Sequence, residues 1–248
     1  MTRPLPHQLA GVIDHTLLRA DATQPEIERL CAEARTHRFA TVCVNPAWVA
    51  TAAAALRGSG VGVATVVGFP LGATLVDVKV LEATATAAAG ATEIDMVLAI
   101  GALKSGLLAF VQADIERVVQ AVAPRPVKVI LEMALLTQED KQTAIALSVH
   151  GGAAFVKTST GFGPGGATIA DVTLMADRLR ALGAAEQVHI KASGGIRTRA
   201  DAEAMLTAGA HRLGTSASVA ILSQGDLAVP PRRAEPDEPP PTARPPRG

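Results

Sequence analysis

Two lysines close consecutive apolar, strand-like runs: Phe155-Val156-Lys157, followed by Thr158-Ser159-Thr160-Gly161, and Val188-His189-Ile190-Lys191, followed by Ala192-Ser193-Gly194-Gly195. A lysine amine can add to a carbonyl and form a Schiff base, but an ordinary surface ammonium is protonated near neutral pH and cannot attack. A second positive charge nearby removes that obstacle. At about 4 Å and an effective dielectric near 20, two ammonium groups repel by about 4 kcal/mol, or about three pKa units, enough to leave one amine largely neutral near pH 7. Residue usage points the same way, since the 23 basic residues include only six lysines: Lys79, Lys104, Lys128, Lys141, Lys157 and Lys191. Arginine fills the other basic positions and cannot form a Schiff base. The bland alternative is a pair of strand-end lysines reaching solvent.

The elements that must position these lysines follow from the hydrophobic pattern. Short β-branched runs alternate with longer alanine-rich segments at helical spacing, as expected of repeated βα units around a parallel sheet. Eight strands are expected, centred on 12–14, 41–44, 62–67, 93–97, 127–132, 154–157, 188–192 and 212–215. The intervening helices are expected over 24–37, 46–57, 74–89, 107–123, 137–150, 168–182 and 199–208, with a short one after Ser216. Thr23 and Thr137 stand where N-caps belong, and Gly90, Gly151 and Gly209 follow helix ends. Eight units in 248 residues favour an α/β fold closed as a single-domain (β/α)8 TIM barrel over an open doubly wound sheet. That domain is expected over 1–225. Residues 226–248 are Pro-rich, offer no apolar face and read as a disordered tail.

Composition narrows the function classes. With 23 acidic and 23 basic residues and no basic block in the globular part, nothing marks a nucleic-acid partner. A small neutral or anionic metabolite fits better. The two cysteines, Cys31 and Cys43, have no metal-ligand spacing, so neither a disulfide framework nor a structural zinc site is expected. No run approaches membrane-spanning length and the N-terminus has no signal-like apolar stretch, so a soluble, unprocessed, cytoplasmic protein is expected. Self-association as a homodimer or higher homo-oligomer is left open.

In a barrel, reactive groups come from the C-terminal ends of strands, and Asp14, Asp95, Glu132, Lys157 and Lys191 all close apolar runs. Lys157 and Lys191 would lie on neighbouring strands, about 4.8 Å apart. Lys128 precedes Glu132 by four residues and is expected about 13 Å lower, as a structural residue. Ser193-Gly194-Gly195-Ile196 and Gly214-Thr215-Ser216-Ala217-Ser218 follow the seventh and eighth strands, the loops that bind phosphate in many barrels. Gly161-Phe162-Gly163-Pro164-Gly165-Gly166 is placed to close over the same ligand. Cys43 reads either as a reactive thiol or as a small buried apolar residue.

Seven segments, in order, carry a family resemblance: residues 14–18 (DHTLL), 42–46 (VCVNP), 66–72 (VVGFPLG), 93–97 (EIDMV), 101–106 (GALKSG), 155–163 (FVKTSTGFG) and 191–198 (KASGGIRT). Over nearly the whole globular part the chain resembles deoxyribose-phosphate aldolases of the class I, Schiff-base type. The resemblance implies a (β/α)8 barrel, reversible cleavage of the phosphosugar 2-deoxy-D-ribose 5-phosphate to acetaldehyde and D-glyceraldehyde 3-phosphate, and no metal or organic cofactor. It implies Lys157 as the Schiff-base nucleophile, Lys191 as the cation that depresses its pKa, and Asp95 as the acid/base acting through water. Gly161, Gly194, Gly195, Gly214 and Ser216 would hold the phosphate. Supporting places fall to Glu132, orienting the lysines or forming a structural ion pair, and to Asp14 and Thr16, positioning water or substrate. His15 reads as a packed, hydrogen-bonded residue.

The chain departs from the pattern at Ala99, where relatives commonly carry asparagine, within 132–137, where cysteine and an aromatic are often found, and in having no tyrosine for a C-terminal proton-transfer role. Two other readings share the lysines and loops: a different Schiff-base phosphosugar aldolase, and a non-catalytic phosphosugar-binding barrel.

Overall fold

Each β-branched run becomes a strand, and the eight strands close on themselves. They are β1 (Ile13–Leu17), β2 (Thr41–Val44), β3 (Gly62–Val67), β4 (Glu93–Val97), β5 (Val127–Ile130), β6 (Phe155–Lys157), β7 (His189–Ser193) and β8 (Arg212–Thr215). All neighbours are parallel, and β1 pairs with β8 to complete the barrel. The structure is a computed structural model that describes residues 9–223. The Pro-rich segment 226–248, and the domain boundary placed at residue 225, lie outside the described residues.

The helices are α1 (Gln24–His37), α2 (Val49–Ala55), α3 (Val76–Ala88), α4 (Ile100–Lys104), α5 (Leu108–Val122), α6 (Gln138–His150), α7 (Ile169–Ala181), α8 (Arg199–Thr207) and α9 (Ser218–Ser223). Thr137 caps α6 reciprocally: its Oγ1 accepts from the Asp140 amide at 3.1 Å and its own N–H donates to Asp140 Oδ2 at 3.0 Å. Two expectations change. The single helix expected over 46–57 divides into a 3-10 turn, Pro46–Trp48, and α2. The five-residue α4, which contains Gly101 and ends just before Ser105 and Gly106, is too short to leave a periodic signal.

Strand alternation sorts side chains to two sides of the barrel wall. Ile94, Met96, Val127, Val129, Val156 and Ile190 belong to the large apolar cluster in which the helices pack. The intervening positions carry Asp95, Lys128, Lys157 and Lys191, all buried, so the barrel interior is charged. Only a small apolar set, Leu18, Cys43, Ala64 and Val66 with Phe69 against it, forms a second cluster.

Lys79 on α3 is fully buried, bonding Asp114 on α5 at 2.5 Å and the Val97 carbonyl at the end of β4 at 3.0 Å. It ties two helices to the strand that bears Asp95, a structural use of lysine that the sequence does not announce. Among the described residues no helix is long and apolar enough to cross a membrane.

Candidate active site

Parallel pairing of β6 with β7 sets Lys157 directly beside Lys191. Between them stands Asp95, whose Oδ2 accepts from Lys157 Nζ at 2.8 Å and from Lys191 Nζ at 2.7 Å. Its other oxygen, Oδ1, accepts from Lys128 Nζ at 2.6 Å. Lys191 also pairs with Asp14 Oδ2, while Asp14 Oδ1 meets Arg212 at 2.7 Å. Lys128 continues downward to Glu93 at 2.6 Å, and Glu93 reaches Arg212 at 3.3 Å.

This geometry corrects the expectation for Lys128. Lys128 and Glu132 do not share one strand, because β5 ends at Ile130. Height in a closed barrel follows from the stagger between strands, and the register puts Lys128 opposite Asp95. Lys128 is therefore part of the cluster.

The two neighbouring lysines are driven in opposite directions. Burial pushes the Lys157 amine below its ordinary value, against the pull of Asp95 and with help from the Lys191 charge. For Lys191, burial is outweighed by Asp14 and Asp95, which hold it above its ordinary value. Burial would raise Asp95, yet Lys128, Lys157 and Lys191 together keep its carboxyl well below the usual range. Mutual repulsion is thus a contributor to the Lys157 perturbation, and desolvation is the larger one. The carboxylate between the amines and the burial around them both act on Lys157 alongside the repulsion of the pair.

A cavity of about 450 Å3 opens above this cluster, lined by Thr16, Lys157, Gly161, Gly194, Gly195, Gly214 and Ser216 among others. Of the two lysines only Lys157 lines it. Asp95, Lys191 and Asp14 lie beneath its floor, buried. The expected phosphate residues converge there because the loops after β6, β7 and β8 are adjacent. Gly194 has φ +86°, and its Cβ position would meet Gly166 Cα at 3.0 Å, so glycine lets the two loops nest.

Three supporting expectations change or sharpen. Glu132 does not contact the lysines. Two residues past the end of β5 it takes the left-handed conformation, φ 55° and ψ 60°, and turns its carboxyl toward Thr160. Asp14 binds Lys191 and Arg212 rather than facing the cavity, whereas Thr16 lines the cavity and its hydroxyl donates to the Asp14 carbonyl at 2.9 Å. Cys43 is buried, and burial raises its thiol pKa, the environment of an unreactive apolar residue. His15 is packed and bonded to Ser218 at 2.9 Å and Glu33 at 2.8 Å, as expected.

Ala99 precedes α4 without a side-chain capping bond and is not among the cavity-lining residues. Arg19, Arg197 and Phe162 also line the cavity; Phe162 belongs to the 161–166 loop expected to close over the ligand, whereas Arg19 and Arg197 carried no expected role. Arg197 sits inside the 191–198 segment and Phe162 inside 155–163, so both had a positional signal. Phe162 meets Phe69 edge-on, ring centroids 5.2 Å apart, joining the β3 and β6 loops at the mouth.

Eight parallel strands with titratable groups gathered beneath a cavity at their carboxyl ends have the architecture of a (β/α)8-barrel enzyme. The chain belongs to the DeoC/LacD family aldolases, whose family model matches residues 9–224. It is 52% identical over 217 residues to a deoxyribose-phosphate aldolase of Desulfitobacterium hafniense (strain DSM 10664 / DCB-2), covering 87% of this chain and 97% of that one. It is 54% identical over 221 residues to a deoxyribose-phosphate aldolase of Streptococcus pneumoniae (strain CGSP14), covering 89% and 98%. Among solved structures, one from Coccidioides immitis described as a candidate deoxyribose-phosphate aldolase superposes with TM-score 0.88 at 42% identity, covering 92% of this chain and 89% of the other. A deoxyribose phosphate aldolase from Aeropyrum pernix, described as having a unique tetrameric structure, gives 0.81 at 34% identity over 88% and 91%.

Proposed function

We propose that this chain cleaves 2-deoxy-D-ribose 5-phosphate reversibly to acetaldehyde and D-glyceraldehyde 3-phosphate through a Schiff base on Lys157. The observation that carries the reading is the asymmetry of the lysine pair: Lys157 reaches the cavity with a lowered pKa, while Lys191 is held charged beneath it by two carboxylates. The activity named for relatives of 52% and 54% identity, nearly spanned by this chain, supports the substrate.

The neutral Lys157 amine adds to C1 of the open-chain sugar, and loss of water leaves a protonated imine. A base takes the proton of the C3 hydroxyl, the C2–C3 bond breaks, and its electron pair flows into the iminium to give an enamine. D-glyceraldehyde 3-phosphate departs. Protonation at C2 and hydrolysis then release acetaldehyde and the amine. Asp95, bonded to Lys157, serves the proton transfers through water, and Lys191 keeps that carboxyl ionised and Lys157 short of protons. Gly161, Gly194, Gly195, Gly214 and Ser216 take the phosphate with backbone N–H groups and a hydroxyl.

The purified protein is expected to release acetaldehyde from 2-deoxyribose 5-phosphate, followed by coupled reduction with NADH, and to do so in EDTA. No acetaldehyde, or a clear preference for another phosphosugar, overturns the substrate assignment. Replacing Lys191 with leucine removes a like charge, so the Lys157 pKa rises and the acid limb of the kcat/KM profile moves to higher pH. Burial persists, so activity lost at pH 7 is partly regained in alkali. A profile that keeps its acid limb contradicts the charge role of Lys191.

Self-association is part of the same proposal. Leu75, Val78 and Leu81 recur at three-residue spacing from the N-cap of α3 into its first turns and are exposed, as are Leu71 before them and Leu107, Leu108 and Phe110 at the N-cap and start of the neighbouring α5. An apolar surface of this kind is characteristic of interfaces, and a second copy of the chain is the proposed occupant. Light scattering is expected to report a dimer or larger assembly, and Leu75→Asp with Leu81→Asp to yield monomer. A monomeric parent protein overturns it.

A further inference from the structure

We propose that Glu132 is a positioning residue that makes the site selective for a phosphorylated substrate, by holding the 160–163 turn in the shape that receives the phosphate. The proposal rests on the reading above that the cavity takes a phosphosugar.

Glu132 has several features that a bystander carboxyl would not need. It is one of two non-glycine residues with positive φ among the described residues, a backbone state that costs a non-glycine side chain free energy and concentrates at functional sites. It is 3% exposed. Its neighbours clamp it to the exit of β6: the Leu131 amide donates to the Lys157 carbonyl at 2.9 Å and the Met133 amide to the Thr158 carbonyl at 3.0 Å. From there its Oε2 accepts the hydroxyl of Thr160, in a short bond, and the Thr160 amide at 3.3 Å.

The consequence passes along the turn. With its proton committed to Glu132, Thr160 Oγ1 accepts the Phe162 amide at 3.0 Å. Gly163 then lies flat on the carboxyl: a Cβ there would be 2.8 Å from Glu132 Cδ. Thr160, Gly161 and Phe162 all line the cavity, so one carboxyl sets the conformation of its β6 rim. At the far end the Ala167 amide donates to the Gly194 carbonyl at 2.9 Å, which joins this turn to the β7 loop. Glu132 Oε1 is buried with no protein hydrogen-bond partner among the described residues, a cost retained for a carboxyl whose other oxygen shapes the rim.

Because Glu132 touches neither lysine, its loss should be felt where the phosphate binds and spared where the bond breaks. Glu132→Gly keeps the backbone conformation and removes the carboxyl, whereas Glu132→Gln keeps an oxygen able to accept from Thr160. For 2-deoxyribose 5-phosphate, Glu132→Gly is expected to raise KM about tenfold or more with kcat within about threefold. For unphosphorylated 2-deoxyribose its kcat/KM should stay within about threefold of the parent, and Glu132→Gln should stay near the parent on both sugars. Equal losses on both sugars, or none on either, overturn the proposal. If the parent protein turns over neither sugar, the activity reading fails, and thermal melts with inorganic phosphate decide the role of Glu132 alone. Protection of the parent and Glu132→Gln but not of Glu132→Gly supports it, and equal protection of all three overturns it.

Discussion

Replacing Lys157 with methionine is expected to lower kcat for 2-deoxyribose 5-phosphate cleavage by about 10^4-fold or more while leaving the protein at least as stable as before. The first half follows from the chemistry. Without the amine there is no iminium, and C2–C3 cleavage would leave a carbanion with nowhere to place its electron pair. The second half follows from the ion cluster. Breaking a buried pair normally costs about 3–5 kcal/mol because it strands a charge, but Asp95 keeps Lys128 and Lys191 when Lys157 is gone. A buried amine is exchanged for an apolar chain of similar length with no orphaned partner. Kinetics and a melting curve on one sample check both halves, and a melting temperature that falls with activity would show that Lys157 is needed for the fold.

Asp95→Asn should do the opposite to stability and a comparable injury to rate. Its carboxyl serves Lys128, Lys157 and Lys191 at once, so an amide there leaves buried ammonium groups short of their counter-charge. A loss of about 3–5 kcal/mol is expected, with kcat down by about 10^2 to 10^4 as general acid/base help disappears. The sign of the pH dependence is a further check. Asp95 in the parent has a lowered pKa, so its contribution is present above the ordinary carboxyl value of 3.8 and lost as pH falls below it. Lys128 and Lys191 have raised pKa values, so their contribution is present below 10.5 and lost as pH climbs through those raised values. The stability gap between parent and Asp95→Asn should therefore be widest between about pH 4 and 10 and narrow on both sides. A gap that does not vary with pH would mean that packing, rather than charge, makes the difference.

The parts of this site that could be read from sequence are those fixed by local pattern and chain order. Apolar runs carrying Asp95, Lys157 and Lys191 mark strands, and consecutive βα units make β6 and β7 neighbours, so the lysine pair follows, although only Lys157 closes its strand while Asp95 and Lys191 are the middle residues of β4 and β7. The glycine loops after β6, β7 and β8 converge for the same reason. What escaped depends on stagger, burial or backbone conformation. Lys128 joins Asp95 only because the barrel shears one strand against the next. Burial, which depends on the whole packed interior, perturbs Lys157 more than a pairwise charge estimate could show. Nothing in the residue type of Glu132 signals a positive φ, and the strand pattern carried through to it for that reason. Lys79 and Asp114 sit on separate helices, 35 residues apart, and meet only once those helices pack.

Lys157, and not its strand neighbour, should form the covalent link to substrate. Borohydride added to the protein with 2-deoxyribose 5-phosphate should reduce the iminium to a stable secondary amine, and peptide mass spectrometry should locate that adduct on Lys157 alone. An adduct on Lys191, or none from a preparation that is turning over substrate, would contradict the account.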